Sequence, residues 1–240
     1  MTLVRSALFF AYFVAVSVAM HIAALPTLVM PRKAIVRTSQ SWSRAILWGL
    51  RVVAGCGYEV RGEIPRGAVL VASKHMSMWD TMALYMLIDD VCIVVKRELL
   101  KIPFYGWYIG KAGVIGIDRS AGAGALRLMA AEAKPMIGAG RPIAIFPEGT
   151  RKKPGAPPDY KPGVAGLYTL LGLPCVPVAL NSGQFWTGFL KHPGAIVIEF
   201  LPAIPAGLKR AEFMRTLEAR IETATAALIA EGNALLARNG

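Results

Sequence analysis

The chain has 240 residues, with 27 Lys and Arg against 15 Asp and Glu and a formal net charge of +12. It is 55% hydrophobic and 18% charged, with a mean hydropathy of +0.47, too greasy for an ordinary soluble enzyme and too polar for a protein of several membrane spans. The apolar excess must therefore be local, and the length allows one sizeable domain plus an appendage.

No formal charge lies between Arg5 and Arg32. As a helix of about 24 residues, the run Ala7 to Met30 would reach about 36 Å, enough for a bilayer core. Pro26 would kink or end it near the far side. A signal peptide shares the opening of a basic residue ahead of an apolar core. The length of this run and the basic residues after it (Arg32, Lys33, Arg37, Arg44) favour a membrane segment with that flank in the cytoplasm, at the inner membrane. From Val36 to Ala54, Arg37, Arg44 and Arg51 make one basic stripe opposite Trp42, Ile46, Leu50 and Val53. The pattern predicts a helix in the membrane interface; the alternative is a helix packed on the domain with its arginines in water. Residues 1–56 are thus expected to form membrane-associated helices ahead of a domain over 57–240, and deleting residues 1–54 to release that domain from membranes.

Beyond this pair, short apolar runs predict strands at Ala68 to Ser73, Val91 to Lys96, Gly113 to Asp118, Pro142 to Pro147, Pro174 to Leu180 and Ala195 to Leu201. Helical patterns lie between and after them, at Asp80 to Leu87, Gly122 to Ile137, Gly163 to Leu171 and Lys209 to Ala237. The alternation predicts an α/β domain with a mixed, largely parallel sheet flanked by helices. The piece Ile102 to Ile109, rich in aromatics and broken by Pro103 and Gly106, either docks on a membrane, lines an acyl-chain groove, or is ordinary core under a loop. Cys56, Cys92 and Cys175 are scattered among apolar residues without metal spacing, and predict small core residues in a reducing compartment. The charge suggests an anionic partner: anionic lipid, an acidic carrier protein or a phosphorylated substrate. Nucleic acid fits poorly, since no basic-aromatic recognition motif is present.

Three strand ends carry candidate chemistry. His75 follows the first apolar run, where open α/β sheets place ligands, and Asp80 follows it five residues on. That offset is about 140° on a regular helix. The pair can meet only if His75 lies in the strand-to-helix turn and Asp80 reaches back from the first helical turn. One imidazole nitrogen would then be held and the other left as a base; the bland alternative is a surface contact. Asp118-Arg119 presents a guanidinium for a phosphate, or merely an internal ion pair. In Phe146-Pro147-Glu148-Gly149-Thr150-Arg151, Pro147 ends a strand and Gly149 permits a tight turn with exposed amides. Glu148 and Arg151 are expected at its rim, with Lys152, Lys153 and Lys161 thickening the positive field. Pro177 inside a strand implies an edge or bulge position.

In this order, Lys74-His75-Met76-Ser77-Met78-Trp79-Asp80, Gly113 to Arg119, Phe146 to Arg151 and Val176-Pro177-Val178 resemble the four motif blocks of the glycerolipid acyltransferases. The resemblance covers Arg61 to the C-terminus, and the greasy helix pair fits it too. Two departures are Lys74, where many members have Asn, and Gly116, where a larger apolar residue is frequent. The resemblance implies single-displacement transfer of a fatty acyl group from a thioester of acyl-carrier protein or coenzyme A to the sn-2 hydroxyl of 1-acyl-sn-glycerol 3-phosphate (lysophosphatidic acid), giving phosphatidic acid at a membrane and needing no cofactor or metal. It assigns His75 as base, Asp80 as its orienting carboxylate and Lys96 to the oxyanion, with Arg119 and Arg151 on the phosphate and Glu148, Gly149 and Thr150 shaping the glycerol site. Rival readings are other lysolipid or glycerol-3-phosphate acceptors, and a lipid-binding protein without catalysis. A lipase would need a Gly-x-Ser-x-Gly elbow, which is missing.

Overall fold

Leu70, Val71, Ala72 and Ser73 are all buried, the signature of a strand covered on both faces. In the computed structural model, which describes residues 1–118 and 122–239, that strand sits in the middle of a sheet. Helices Thr2–Ala24 (α1) and Arg32–Ala54 (α2) come first, then Cys56–Gly62 (β1), Leu70–Ser73 (β2), Met78–Leu87 (α3), Cys92–Lys96 (β3), Tyr105–Ala112 (α4) and Ile115–Ile117 (β4). Gly122–Gly138 (α5), Ile143–Ile145 (β5), Gly163–Leu171 (α6) and Cys175–Leu180 (β6) follow. Ser182–Phe185 (α7), the strands Trp186–Thr187 (β7) and Leu190–Lys191 (β8), Gly194–Phe200 (β9) and the long helix Arg210–Asn239 (α8) complete the chain.

The main sheet has the order β1-β9-β6-β2-β5-β3-β4, while β7 and β8 form a separate hairpin. Every neighbouring pair in the main sheet is parallel except β6 with β9. Five adjacent strands, β6, β2, β5, β3 and β4, therefore end at the same edge, the position where α/β folds bind ligands. Alternate strand residues feed opposite cores. Val69, Val71, Ile93, Ala144 and Val178 pack under α2 and α3, whereas Leu70, Ala72, Cys92, Val94 and Ile143 pack under α5, α6 and α8. The three cysteines are free and buried in these layers.

Three local features go beyond the sequence reading. β1 is an edge strand, paired in parallel with β9, and its Gly57, Glu59, Arg61 and Gly62 carry no apolar alternation to announce it. Ile102 to Ile109 is not a loop throughout: α4 begins at Tyr105, after Phe104 with a φ of 61°. Gly106 permits this, because a Cβ there would lie 2.2 Å from the Leu100 carbonyl oxygen. Pro177 is in an interior strand, but where the β9 ladder ends: Val178 faces Phe200, and pairing resumes one residue out of step at the Cys175–Ile204 bridge. Its missing N–H therefore falls at an irregularity and costs little.

The N-terminal helices share the domain's core. Phe9, Ile46, Leu47 and Leu50 belong to the same buried cluster as the sheet residues, so the expected boundary after residue 56 separates elements that pack as one. The apolar side of α2 is used on α1, α3 and β1, leaving Arg37, Arg44 and Arg51 exposed with Trp48 and Val52. Both ends of α1 are fastened to the domain. Near its start, Ser6 Oγ accepts the Lys191 amide at 2.9 Å and Phe9 meets the edge of Trp186 at 5.5 Å. Near its end, the Tyr108 hydroxyl donates to the His21 carbonyl at 2.7 Å. Beyond it, Lys111 Nζ donates to the Leu28 carbonyl at 2.6 Å. The helix is long and apolar enough to cross a membrane, and Leu3, Val4, Leu8, Phe10, Val14, Val18 and Ile22 face outward.

Candidate active site

The turn after β2 is shaped by a capping box. Ser77 is the N-cap of α3 and its Oγ accepts the Trp79 amide at 3.2 Å. Asp80, in the first turn, reaches back to accept the amides of Ser77 at 2.9 Å and Met76 at 2.6 Å. The hydroxyls of Ser77 and Ser182 also donate to it. The same carboxylate oxygen that accepts the two amides lies 2.9 Å from His75 Nδ1. A carboxylate can only accept, so Nδ1 carries the proton and donates, and in the neutral ring Nε2 is the nitrogen with the lone pair. His75 is stacked on Phe146 from the neighbouring strand end, with ring centroids 3.9 Å apart and planes at 17°. The ring is thus fixed on its edge by a buried acid and on its face by an aromatic plane.

The turn after β5 abuts this one. The Lys152 amide donates to the His75 carbonyl at 2.9 Å. Gly149, with a φ of 65°, donates its own amide to the Phe146 carbonyl at 2.9 Å, so that N–H closes the turn and is not offered to a ligand. Glu148 is not at the rim. Its side chain is 1% exposed and accepts from Lys74 Nζ at 2.9 Å. Burial raises its carboxyl above the usual range, opposed by the Lys74 ammonium. Thr150 and Arg151 are exposed.

His75 opens onto a cavity of about 1120 Å³. One wall comes from the strand ends, with Lys96, Ile117, Phe146, Gly149, Thr150 and Arg151; the far part lies between Phe13, Ser17 and Met20 of α1 and Ile35, Thr38 and Trp42 of α2. Tyr105, Tyr108 and Ile109 also line it, while Ile102, Phe104 and Trp107 are exposed, so the aromatic piece is divided between cavity wall and surface. A mostly apolar cavity of this size, with His75, Lys96 and Arg151 in its lining, has the volume and polarity to take an acyl chain with a charged head.

Comparison with known proteins agrees with this geometry. The family model described as Acyltransferase matches residues 57–181. The 1-acyl-sn-glycerol-3-phosphate acyltransferase of Pseudomonas aeruginosa is 38% identical over 196 residues, covering 80% of this chain and 76% of that protein. The human 1-acyl-sn-glycerol-3-phosphate acyltransferase alpha is 31% identical over 169 residues, covering 68% of this chain and 60% of that protein.

The chain belongs to the acyltransferase family.

The crystal structure of the 1-acyl-sn-glycerophosphate (LPA) acyltransferase from Thermotoga maritima superimposes with a TM-score of 0.76 at 21% identity, covering 95% of this chain and 98% of that one; this shows a common fold, helix pair included. Within this acyltransferase, the expected site residues His75, Asp80, Lys96, Glu148, Gly149, Thr150 and Arg151 all lie at the one sheet edge, whereas Arg119 is outside the described residues. Sequence reasoning missed Ser182, which follows β6 and donates to Asp80; its place in a polar Asn181-Ser182-Gly183 strand end was the available signal. It also missed Phe146 as a stacking partner, the helix pair as a cavity wall, and the carboxylates around Lys74. At the Gly116 departure a Cβ would lie 2.7 Å from Leu100 Cδ1, the tip of a side chain that can move aside, so nothing in the structure explains the glycine there.

Proposed function

We propose that the protein is a 1-acyl-sn-glycerol-3-phosphate acyltransferase, transferring a fatty acyl group from an acyl thioester to the sn-2 hydroxyl of lysophosphatidic acid to give phosphatidic acid for phospholipid synthesis. The observation that carries the reading is the His75 imidazole, its Nδ1 held by buried Asp80 and its ring at the head of an acyl-sized cavity. Nε2 takes the proton of the sn-2 hydroxyl as the oxygen attacks the thioester carbonyl; Asp80 steadies the imidazolium that results. The new C–O bond forms, the C–S bond breaks, and the proton passes from His75 to the departing thiolate. No acyl-enzyme is needed.

Lys96 stabilises the oxyanion of the tetrahedral intermediate. Arg151 and Arg119 bind the phosphomonoester, Thr150 and the Gly149 turn bound the glycerol, and Glu148 holds the turn from behind. The donor is acyl-carrier protein or coenzyme A thioester. Because both ends of α1 are fastened to one domain, the helix lies along the lipid surface with its outward apolar side in the bilayer, and the catalytic domain rests on the cytoplasmic face of the inner membrane. A lysolipid whose tail is worth about 0.8 kcal/mol per buried CH₂ then need not leave the bilayer completely.

The test is to incubate purified protein with labelled lysophosphatidate and each thioester in turn. Phosphatidate is expected from at least one donor, with turnover lowered about 10²–10⁴-fold in His75→Ala. No product from either donor, or near-normal turnover in that variant, would refute the assignment.

A further inference from the structure

Lys74 precedes the base directly and is not among the residues that line the cavity. Its side chain is 2% exposed, and its ammonium lies 2.9 Å from Glu148 Oε1 and 2.8 Å from Glu222 Oε1. Glu222 belongs to α8 and receives the Tyr160 hydroxyl on the same oxygen at 2.8 Å. The Tyr160 ring also flanks the ammonium, 6.0 Å away. Glu148 Oε2 is buried and finds no hydrogen-bond partner among the described residues. Three segments far apart in sequence thus meet on one buried cation: the turn carrying the base, the turn carrying Arg151, and the C-terminal helix.

A buried ammonium is tolerated only where carboxylates surround it. The arrangement is therefore stiff, since withdrawing either acid gives up a charge-assisted hydrogen bond to a buried ammonium. The base has separate support from the α3 capping box and Ser182. The turn from Phe146 to Arg151 has less: the Gly149 and Lys152 amides, the Lys161 amide on the Pro147 carbonyl at 2.9 Å, and Lys74.

We infer that Lys74 and Glu222 are positioning residues for the acceptor, acting through Glu148 to set the Phe146–Arg151 turn, so that α8 forms part of the active-site support. The inference rests on the acyltransferase reading above. It predicts a specific split: loosening the strut displaces the acceptor's phosphate and raises its KM, while the base keeps its Asp80 partner and the pH profile of kcat keeps its shape.

The experiment compares Glu222→Gln and Glu222→Asp with Leu217→Ala, a fully buried α8 residue in the core beneath the sheet and outside the ion cluster. Melting temperature, kcat and KM for lysophosphatidate are measured at saturating thioester. Glu222→Gln should raise KM on the order of tenfold, below the roughly 10²-fold that a 1 Å misplacement can cost, with kcat changed less than about twofold and its pH profile unmoved. Glu222→Asp should recover part of the loss. Leu217→Ala should lower the melting temperature at least as much and leave KM within about twofold. If Glu222→Gln only lowers the melting temperature, or if both variants move KM equally, the cluster is merely structural and the inference falls. A wild type that acylates a different lysolipid corrects the acceptor alone, and the same KM comparison is made on that lipid; a wild type that transfers no acyl group overturns the functional reading itself.

Discussion

At the scale of single residues, Asp80 is the most constrained group in the site. It is fully buried and accepts from two backbone amides, two hydroxyls and the His75 ring. An amide in its place would turn a donor toward at least one of those donors and free the imidazole to adopt the other tautomer. Asp80→Asn should therefore lower kcat by at least about 10²-fold, with KM for lysophosphatidate changed little; steady-state kinetics on both substrates checks it, and a KM-only effect would contradict the orienting role. Ser182→Ala removes one charge-assisted bond, worth about 1.5–3 kcal/mol, and should reduce kcat less. Arg151→Ala should act in the opposite sense, raising KM for lysophosphatidate; unchanged KM and turnover would remove Arg151 from phosphate binding.

Among the elements, the β7–β8 hairpin ties α1 to the sheet. Lys191 is 5% exposed there, donates to the Gly188 and Phe189 carbonyls at 2.7 and 2.8 Å, and stands over the Trp186 and Phe9 rings at 4.5 and 5.7 Å. Burial pushes its ammonium down to about 8. A base whose value is depressed in the fold is penalised while both states are protonated, and the penalty disappears as pH rises from about 8 toward the ordinary value of 10.5. The melting temperature of the wild type should accordingly gain on that of Lys191→Met between pH 7 and pH 10. Parallel curves would show that the carbonyls and rings already offset the burial.

For the whole molecule, the decisive arrangement is that α1 is both an apolar outer surface and a wall of the catalytic cavity. Removing residues 1–54 is therefore a poor way to detach the enzyme from lipid. The deletion strips Phe9, Ile46, Leu47 and Leu50 from the core and opens the chamber, so it should yield an unstable, inactive protein in place of a released domain. Changing only outward residues separates the two roles. Leu8, Val14 and Val18 are 58%, 43% and 55% exposed, and each would contribute on the order of 1 kcal/mol, about half the value for full burial, if buried in lipid. The triple change to Gln should preserve the melting temperature within a few degrees and greatly reduce cosedimentation with anionic vesicles. Undiminished binding would move the anchor elsewhere, to exposed Phe104 and Trp107 or to the arginine face of α2.

The strands on the sheet's active edge, the helices α3, α5, α6 and α8, and the proximity of His75 to Asp80 could all be read from the chain alone, because they follow from short-range signals: apolar runs that can only be buried, and an acid in the first helical turn that caps its own turn. The polar edge strand β1 and helix α4 carry no such pattern and depend on a neighbouring strand or a backbone carbonyl for their form. What needed the folded molecule was every relation across long sequence separations. Glu148 looked like a rim residue until Lys74, 74 positions away, and Glu222, 148 positions from Lys74, were brought beside it. Ser182 reaches Asp80 across 102 positions, and the helix pair assigned to the membrane also lines the cavity at His75. A residue's type and immediate neighbours fix what chemistry it offers. Which partner neutralises a buried charge, and which surfaces leave a void between them, are set by the packing of distant segments, whose mutual burial no local pattern encodes.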